Sequence, residues 1–303
     1  MSAPSPGTEL QGLVVASYRR HFAVRLDDGE EVSCVLKGRN TALACGDRVV
    51  VARTEGGGVI EALLPRATLL YRSDAFKEKL IAANVTQVIG VVAPDVGVDE
   101  ELINRWMIAA ESQRCRFVLA ANKSDLPDYA ALKVRLAPFA ALGYDVVELS
   151  AVHDVAPLAR CLAGNHSVLV GQSGMGKSTI VNSLIPGAAI RVTEVSAALA
   201  TGRHTTTATT LYPLPQLGAD IWIVDSPGMK AFGLAHLDPD SIAEAFVELR
   251  PLIGHCRFRD CRHDAEPGCV IRASVNSGQV APHRVALLHS MIREARAIRD
   301  PAR

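Results

Sequence analysis

The order of two short motifs constrains this chain more than anything else in it. Asn122-Lys-Ser-Asp125 precedes Gly171-Gln-Ser-Gly-Met-Gly-Lys-Ser-Thr179. The second matches G-x-x-x-x-G-K-[ST], a phosphate-binding loop, and the first reads as a guanine-binding loop. In ordinary guanine-nucleotide domains the phosphate loop comes first. Here the base-recognition half leads, so the nucleotide-binding domain is expected to be circularly permuted.

The surroundings of the phosphate loop suit that reading. Ser167 to Val170 is a short apolar run fit for a buried parallel strand, and Ser178 to Leu184 can begin a helix. The glycines Gly171, Gly174 and Gly176 let the backbone curl, so that N–H groups from Ser173 through Met175 to Thr179 face phosphate oxygens at a helix N-terminus. Lys177 would reach the β- and γ-phosphates, and the Ser178 hydroxyl would ligate Mg²⁺. A second phosphate-side motif follows in Ile221-Trp-Ile-Val-Asp225-Ser-Pro-Gly228. Its apolar strand ends in Asp225, placed to hold Mg²⁺ through water, and the Gly228 N–H would contact the γ-phosphate.

The base-recognition half repeats the strand-then-loop layout. Phe117 to Ala121 is apolar and runs straight into Asn122. The Asp125 carboxylate can accept two hydrogen bonds from guanine, and adenine would leave it unpaired. The Lys123 stem would cover a face of the base, and Asn122 would tie this loop to the phosphate side. Asp145 to Leu149 is the next strand. Its loop, Ser150-Ala151, would bring a backbone N–H to the guanine oxygen.

The hydrolytic residues are less direct. Met229 follows Gly228 where many GTP-hydrolysing domains carry a water-orienting Gln, so unaided turnover should be slow. Gly202-Arg-His-Thr-Thr-Thr207 lies where a first switch segment should fall. There, Thr206 would close on Mg²⁺, His204 would position water, and Arg203 is a weaker candidate for steadying charge.

Three of the seven cysteines form Cys256-x4-Cys261-x-His263-x5-Cys269. Three thiolates and an imidazole match a closed, structural zinc site, set in a polar, turn-rich stretch that lacks a core of its own. His255 is an adjacent spare ligand candidate. Disulfides are disfavoured in a chain that reads as cytosolic, without a signal peptide. Cys34, Cys45, Cys115 and Cys161 read as small buried hydrophobes.

The chain's 303 residues suit two or three domains, each with its own core. Residues 1–65 open with a loose leader. Five short strands are expected at Leu10 to Tyr18, His21 to Leu26, Glu31 to Leu36, Asp47 to Arg53 and Gly58 to Leu64, suiting an OB-type barrel. Tyr18, Arg19, Arg20, His21, Phe22, Arg25, Lys37 and Arg39 are its candidate RNA contacts, although the segment holds seven Lys/Arg against eight Asp/Glu. Residues 66–236 alternate strand and helix, with a first strand at Val85 to Ala93 and a helix at Asp99 to Ser112, a doubly wound α/β pattern within a multidomain α/β chain. Residues 237–303 hold the cysteines and a final helix, Pro282 to Arg299. From residue 250 on there are ten Arg against five Asp/Glu, so this tail would meet phosphate. No apolar run approaches the length of a membrane span.

These pieces, in this order, resemble one family, the ribosome small-subunit-dependent GTPases called RsgA or YjeQ. The resemblance covers nearly the whole chain. It implies a bacterial protein with a barrel, a permuted GTPase domain and a C-terminal zinc domain. It also implies a protein that binds the 30S subunit and its 16S rRNA late in maturation and hydrolyses GTP faster when bound; a monomer is the default expectation. By resemblance too, His204 positions the water. Three other readings compete: an RNA-binding scaffold with a degenerate nucleotide site, a GTPase delivering metal, and an ATPase. Intact Lys177, Ser178, Asp225 and Asp125 argue against the first, the closed ligand set against the second, and Asp125 against the third.

Overall fold

Five strands alternate apolar and polar residues at the N-terminus: β1 (Leu10–Tyr18), β2 (His21–Leu26), β3 (Glu31–Leu36), β4 (Arg48–Thr54) and β5 (Gly57–Leu63). The period-two pattern turns Val14, Val24, Leu26, Val32, Cys34, Val49, Val51 and Ile60 into one core. β1 pairs with both β2 and β4, and β3 pairs parallel with β5, which closes the barrel. The structure, a computed structural model, describes residues 10–18, 21–38, 42–73, 78–185, 209–228, 232–234 and 236–299.

The barrel corrects part of the expected RNA face. Phe22 points inward and is buried with the barrel core, because β2 alternates and His21 takes the outer position. Arg25 and Lys37 are engaged with Glu31 at 2.6 Å and Glu61 at 2.8 Å. Arg19, Arg20 and Arg39 lie outside the described residues.

A hairpin follows that the sequence reading passed over: β6 (Leu69–Ser73) and β7 (Glu78–Ala83). The first strand of the parallel sheet is β8 (Gln87–Val92), buried along its whole length, as a strand covered on both faces must be. Helix α1 (Glu100–Ser112) is capped by Asp99, whose carboxylate accepts from the Leu102 N–H at 3.0 Å. Then come β9 (Arg116–Ala121), α2 (Tyr129–Ala141), β10 (Asp145–Glu148), α3 (Ala156–Leu162), β11 (His166–Val170), α4 (Lys177–Leu184), β12 (Thr209–Pro213) and β13 (Trp222–Asp225).

The strand order is β10-β9-β8-β11-β13-β12, parallel except for β12. The phosphate-loop strand β11 thus sits centrally although it comes late in sequence. Adjacent residues of β8 serve opposite faces: Val88 and Val92 join the cluster under α1, while Ile89 and Val91 join the one under α3 and α4. The outer edge of β12 pairs with barrel strand β1, Ala16 opposite Thr210 and Ser17 opposite Thr209, so one 11-stranded sheet runs through both.

The C-terminal part carries α5 (Pro239–Glu244), α6 (Val270–Asn276) and α7 (Pro282–Arg299). The expectation of a separate core is not met here. Phe246, Ile271, Leu288 and Met291 bury themselves in the cluster that holds Trp106 and Met107 of α1. So short a segment buries too little apolar surface alone and borrows the outer face of α1. Two arginines cross this junction: Arg105 of α1 reaches Glu294, and buried Arg284 of α7 reaches Glu248 and Asn104. Among the described residues, no helix is long and apolar enough to cross a membrane.

Candidate functional site

The loops at the C-terminal ends of β8, β9, β10, β11 and β13 converge, as expected for a ligand crevice in an open parallel sheet. Between β11 and α4 the phosphate loop turns through Gly176, in the left-handed region at φ 92°. A Cβ there would lie 2.3 Å from Asn122 Nδ2, so only glycine fits. Met175 buries its side chain and leaves its backbone to the loop. Ser173, Ser178 and Thr179 are exposed.

The two functional loops are bonded to each other. Buried Asn122 donates from Nδ2 to the Met175 carbonyl at 3.0 Å, and its Oδ1 accepts from the Ala151 N–H at 3.0 Å. The Ala151 N–H expected at the guanine oxygen is therefore bonded internally. Lys123 adopts a left-handed φ of 60° and donates from Nζ to the Gly174 carbonyl at 2.8 Å and to Asp95 at 2.6 Å. Asp125 accepts from the Ser150 hydroxyl at 2.5 Å, and that bond holds its carboxyl below the usual range. The carboxylate is thus ionised and solvent-facing, the state needed to accept N–H groups from a base.

The phosphate side holds two desolvated charges. Lys177 is buried, which pushes its ammonium pKa down, and Nζ donates to the Gly171 and Gln172 carbonyls at 2.9 and 3.0 Å. Asp225 is buried, which pushes its carboxyl pKa up. Its Oδ2 accepts from Ser178 Oγ at 2.9 Å, while its buried Oδ1 has no partner among the described residues. An anion beside Lys177 and a hard cation beside Asp225 and Ser178 would relieve both penalties. The neighbouring Ser226 anchors the strand end by donating to the Leu169 carbonyl at 2.5 Å. Gly228 packs so closely on the loop that a Cβ would lie 2.8 Å from the Ser173 nitrogen.

Sequence reasoning missed Asp95 and Ser226. Asp95 lies in the loop after β8, and each parallel strand's C-terminal loop is a place to search. Arg203, His204, Thr206 and Met229 lie outside the described residues.

Cys256, Cys261, His263 and Cys269 have their ligand atoms within 4.8 Å of one another. Cys256 Sγ lies 3.9 Å from Cys269 Sγ, and His263 Nδ1 lies 3.5 and 3.6 Å from those sulfurs. A tetrahedron with metal–sulfur bonds of about 2.3 Å has sulfur–sulfur edges of about 3.8 Å, so this set fits a zinc ion. Nδ1 is the ring atom that faces the sulfurs. Burial and the neighbouring thiols push the Cys261 thiol up to about 12, a cost that a divalent cation would reverse. His255 is exposed and stands outside the cluster.

Comparison with known proteins bears on the whole chain. The family model described as RsgA GTPase matches residues 63–235. A small ribosomal subunit biogenesis GTPase RsgA of Nitrosospira multiformis is 47% identical over 296 residues, covering 97% of this chain and 93% of that one. Its counterpart from Burkholderia pseudomallei is 47% identical over 301 residues, covering 96% and 94%. The crystal structure of YjeQ from Thermotoga maritima superposes with a TM-score of 0.71 at 30% identity, covering 95% of this chain and 99% of that one. YloQ, described as a circularly permuted GTPase, shares the fold with a TM-score of 0.67 at 19% identity, covering 98% of each chain.

Proposed function

The chain belongs to the RsgA GTPase family and is a GTP hydrolase; from that premise we propose that it acts in late maturation of the small ribosomal subunit. It binds the 30S particle and its 16S rRNA and converts GTP to GDP and phosphate faster when bound. In this reading residues 1–65, 66–236 and 237–303 work as an OB-type barrel, a permuted GTPase domain and a zinc-binding helical domain, in a cytoplasmic monomer. The observation that carries it is the direct bonding of the Asn122 loop to the phosphate loop, beside the bond from Ser178 to buried Asp225.

Guanine is held by Asp125, with Lys123 along the base and Asn122 bracing both loops. Ser150 keeps Asp125 ionised. The triphosphate lies over the backbone N–H groups of Gly171 to Thr179, with Lys177 at its β- and γ-phosphates. Ser178, Thr206 and Asp225 would hold Mg²⁺, which neutralises charge on the β- and γ-phosphates. His204 orients the attacking water in place of the Gln that Met229 replaces. Cys256, Cys261, His263 and Cys269 hold a structural zinc.

GTP also sets the zinc domain. Gly228 touches the phosphate loop, and a few residues on, Phe232 is buried beside α1 with its carbonyl 3.3 Å from Arg105. Arg105 in turn bonds Glu294 of α7. A nucleotide-dependent shift at Gly228 and Met229 is thereby passed to the α1–α7 junction, and with it to the fit on the subunit.

The test is GTP hydrolysis by the purified protein, alone and with mature 30S subunits, with His204→Ala alongside. Stimulation lost in the variant supports the reading in full. Stimulation that survives moves the water-positioning group elsewhere. GTP binding without stimulation removes the 30S subunit as the partner.

A further inference from the structure

We propose that the loop between Cys256 and Cys261 is a stacking site for an unpaired RNA base, with Phe258 as its platform and Arg257, Arg259 and Arg262 as its phosphate contacts. This rests on the RNA-partner reading above but assigns the contact to a different place from the barrel.

Phe258 keeps 42% of its surface exposed and is the one aromatic among the exposed large hydrophobic side chains of the described residues. The Arg257 guanidinium lies 5.5 Å from its ring centre, a cation–π contact that stiffens the ring and leaves the group available to an anion. Arg257, Arg259 and Arg262 are all exposed, and among the described residues none has a carboxylate partner. Arg250 and Arg284, in the same part of the chain, are paired with Glu111 and Glu248. The nearby Glu266 does not neutralise them either. Its carboxylate accepts from the Arg262 and Asp264 backbone N–H groups, both at 3.0 Å.

The loop is also held in place. Arg257 N–H donates to the Gly268 carbonyl at 3.1 Å, and Cys261 N–H donates to the Phe258 carbonyl at 3.3 Å. The Arg257 stem packs over Gly268, where a Cβ would lie 2.9 Å away. A rigid exposed ring between unpaired guanidinium groups suits the π-face of a base flanked by phosphates. A protein partner's apolar pocket would need no cluster of cations, and duplex RNA would offer no free base. The barrel offers less, since Phe22 is buried and Arg25 and Lys37 are already paired.

The experiment compares Phe258→Ala, Phe258→Leu, Phe258→Trp and Arg259→Ala, as full-length zinc-loaded proteins, in binding to mature 30S subunits and to a single-stranded oligoadenylate. Zinc content and unstimulated GTP hydrolysis should match the parent in all four. Phe258→Ala and Phe258→Leu should each weaken binding about tenfold. Phe258→Trp should restore it, with the exposed indole emission quenched by the stacked base. Arg259→Ala should lower the salt dependence by about one counterion. Equal affinity of Phe258→Leu and the parent would overturn the proposal in favour of an apolar protein contact, as would unquenched indole emission with both probes. If the parent fails to bind 30S subunits at all, the reading of its partner falls, and the oligoadenylate arm still decides the platform.

Discussion

Asn122 spans 53 residues of sequence to donate to the Met175 carbonyl at 3.0 Å, joining the Asn122–Asp125 loop to the Gly171–Thr179 loop by one side chain. Because the same amide also accepts from the Ala151 N–H, it fixes three loops at once. Removing it should leave two buried backbone groups unpaired, at about 1–3 kcal/mol each. Asn122→Ala should therefore weaken GDP binding by about tenfold to a hundredfold, measured with a fluorescent GDP analogue. Unchanged affinity would mean that the loops hold together without it.

Gly228 sits where any side chain would drive into the Ser173 backbone. Gly228→Ala should displace the phosphate loop or the segment after β13 by a few tenths of an ångström to an ångström. Misplacement on that scale lowers GTP turnover by about a hundredfold. GDP affinity, which needs no γ-phosphate contact, should fall much less, and a parallel fall in both would sink this account.

The Asp125 carboxyl titrates below its ordinary value because Ser150 donates to it. In the proposed function the group binds guanine when ionised. Its contribution is therefore fully present above the ordinary carboxylate pKa and is lost only as pH falls through the lower folded value. GDP affinity should be flat from pH 8 to about pH 5 as far as this group is concerned. Ser150→Ala should move the acid-side loss to higher pH, and calorimetric titration across that range checks the direction.

Arg284 is 7% exposed, bonds Glu248 and Asn104, and lies 4.8 Å over the Phe246 ring. Truncation strands the Glu248 carboxylate, 15% exposed with its Oε2 buried, and the Asn104 amide, so Arg284→Ala should destabilise the protein by about 3 kcal/mol in denaturant unfolding. The loss should fall on the α1–α7 junction and lead to its early melting ahead of the barrel, visible in hydrogen exchange.

Zinc removal should act locally. The parent should carry one zinc per chain, and Cys269→Ser should carry less by elemental analysis. Chelation should lower the melting temperature, because α6 and α7 lean on the α1 core, while the β8–β13 sheet that carries the nucleotide loops still binds GDP. Loss of GDP binding on chelation would show that the cluster also supports the crevice.

What the sequence determined by itself was local. The phosphate loop, the Asn122 loop, the metal-ligand spacing from Cys256 to Cys269, and the strands at Leu10–Tyr18 and His21–Leu26 are each set within a short window. Side-chain alternation, glycine placement and ligand spacing declare themselves over a few residues. Motif order was equally legible, since it is a property of the chain alone. The β6–β7 hairpin was not, because Leu69 to Ala83 has no glycine or proline to mark its turn and mixes Lys and Glu with apolar residues. Tertiary structure alone decided that β1 extends the nucleotide sheet through β12, that Phe22 faces the barrel core, that Arg284 crosses to Asn104, and that Asp95 holds Lys123. Each of these joins residues far apart in sequence. Such pairings depend on which surfaces meet once the layers close, and no local window carries that information.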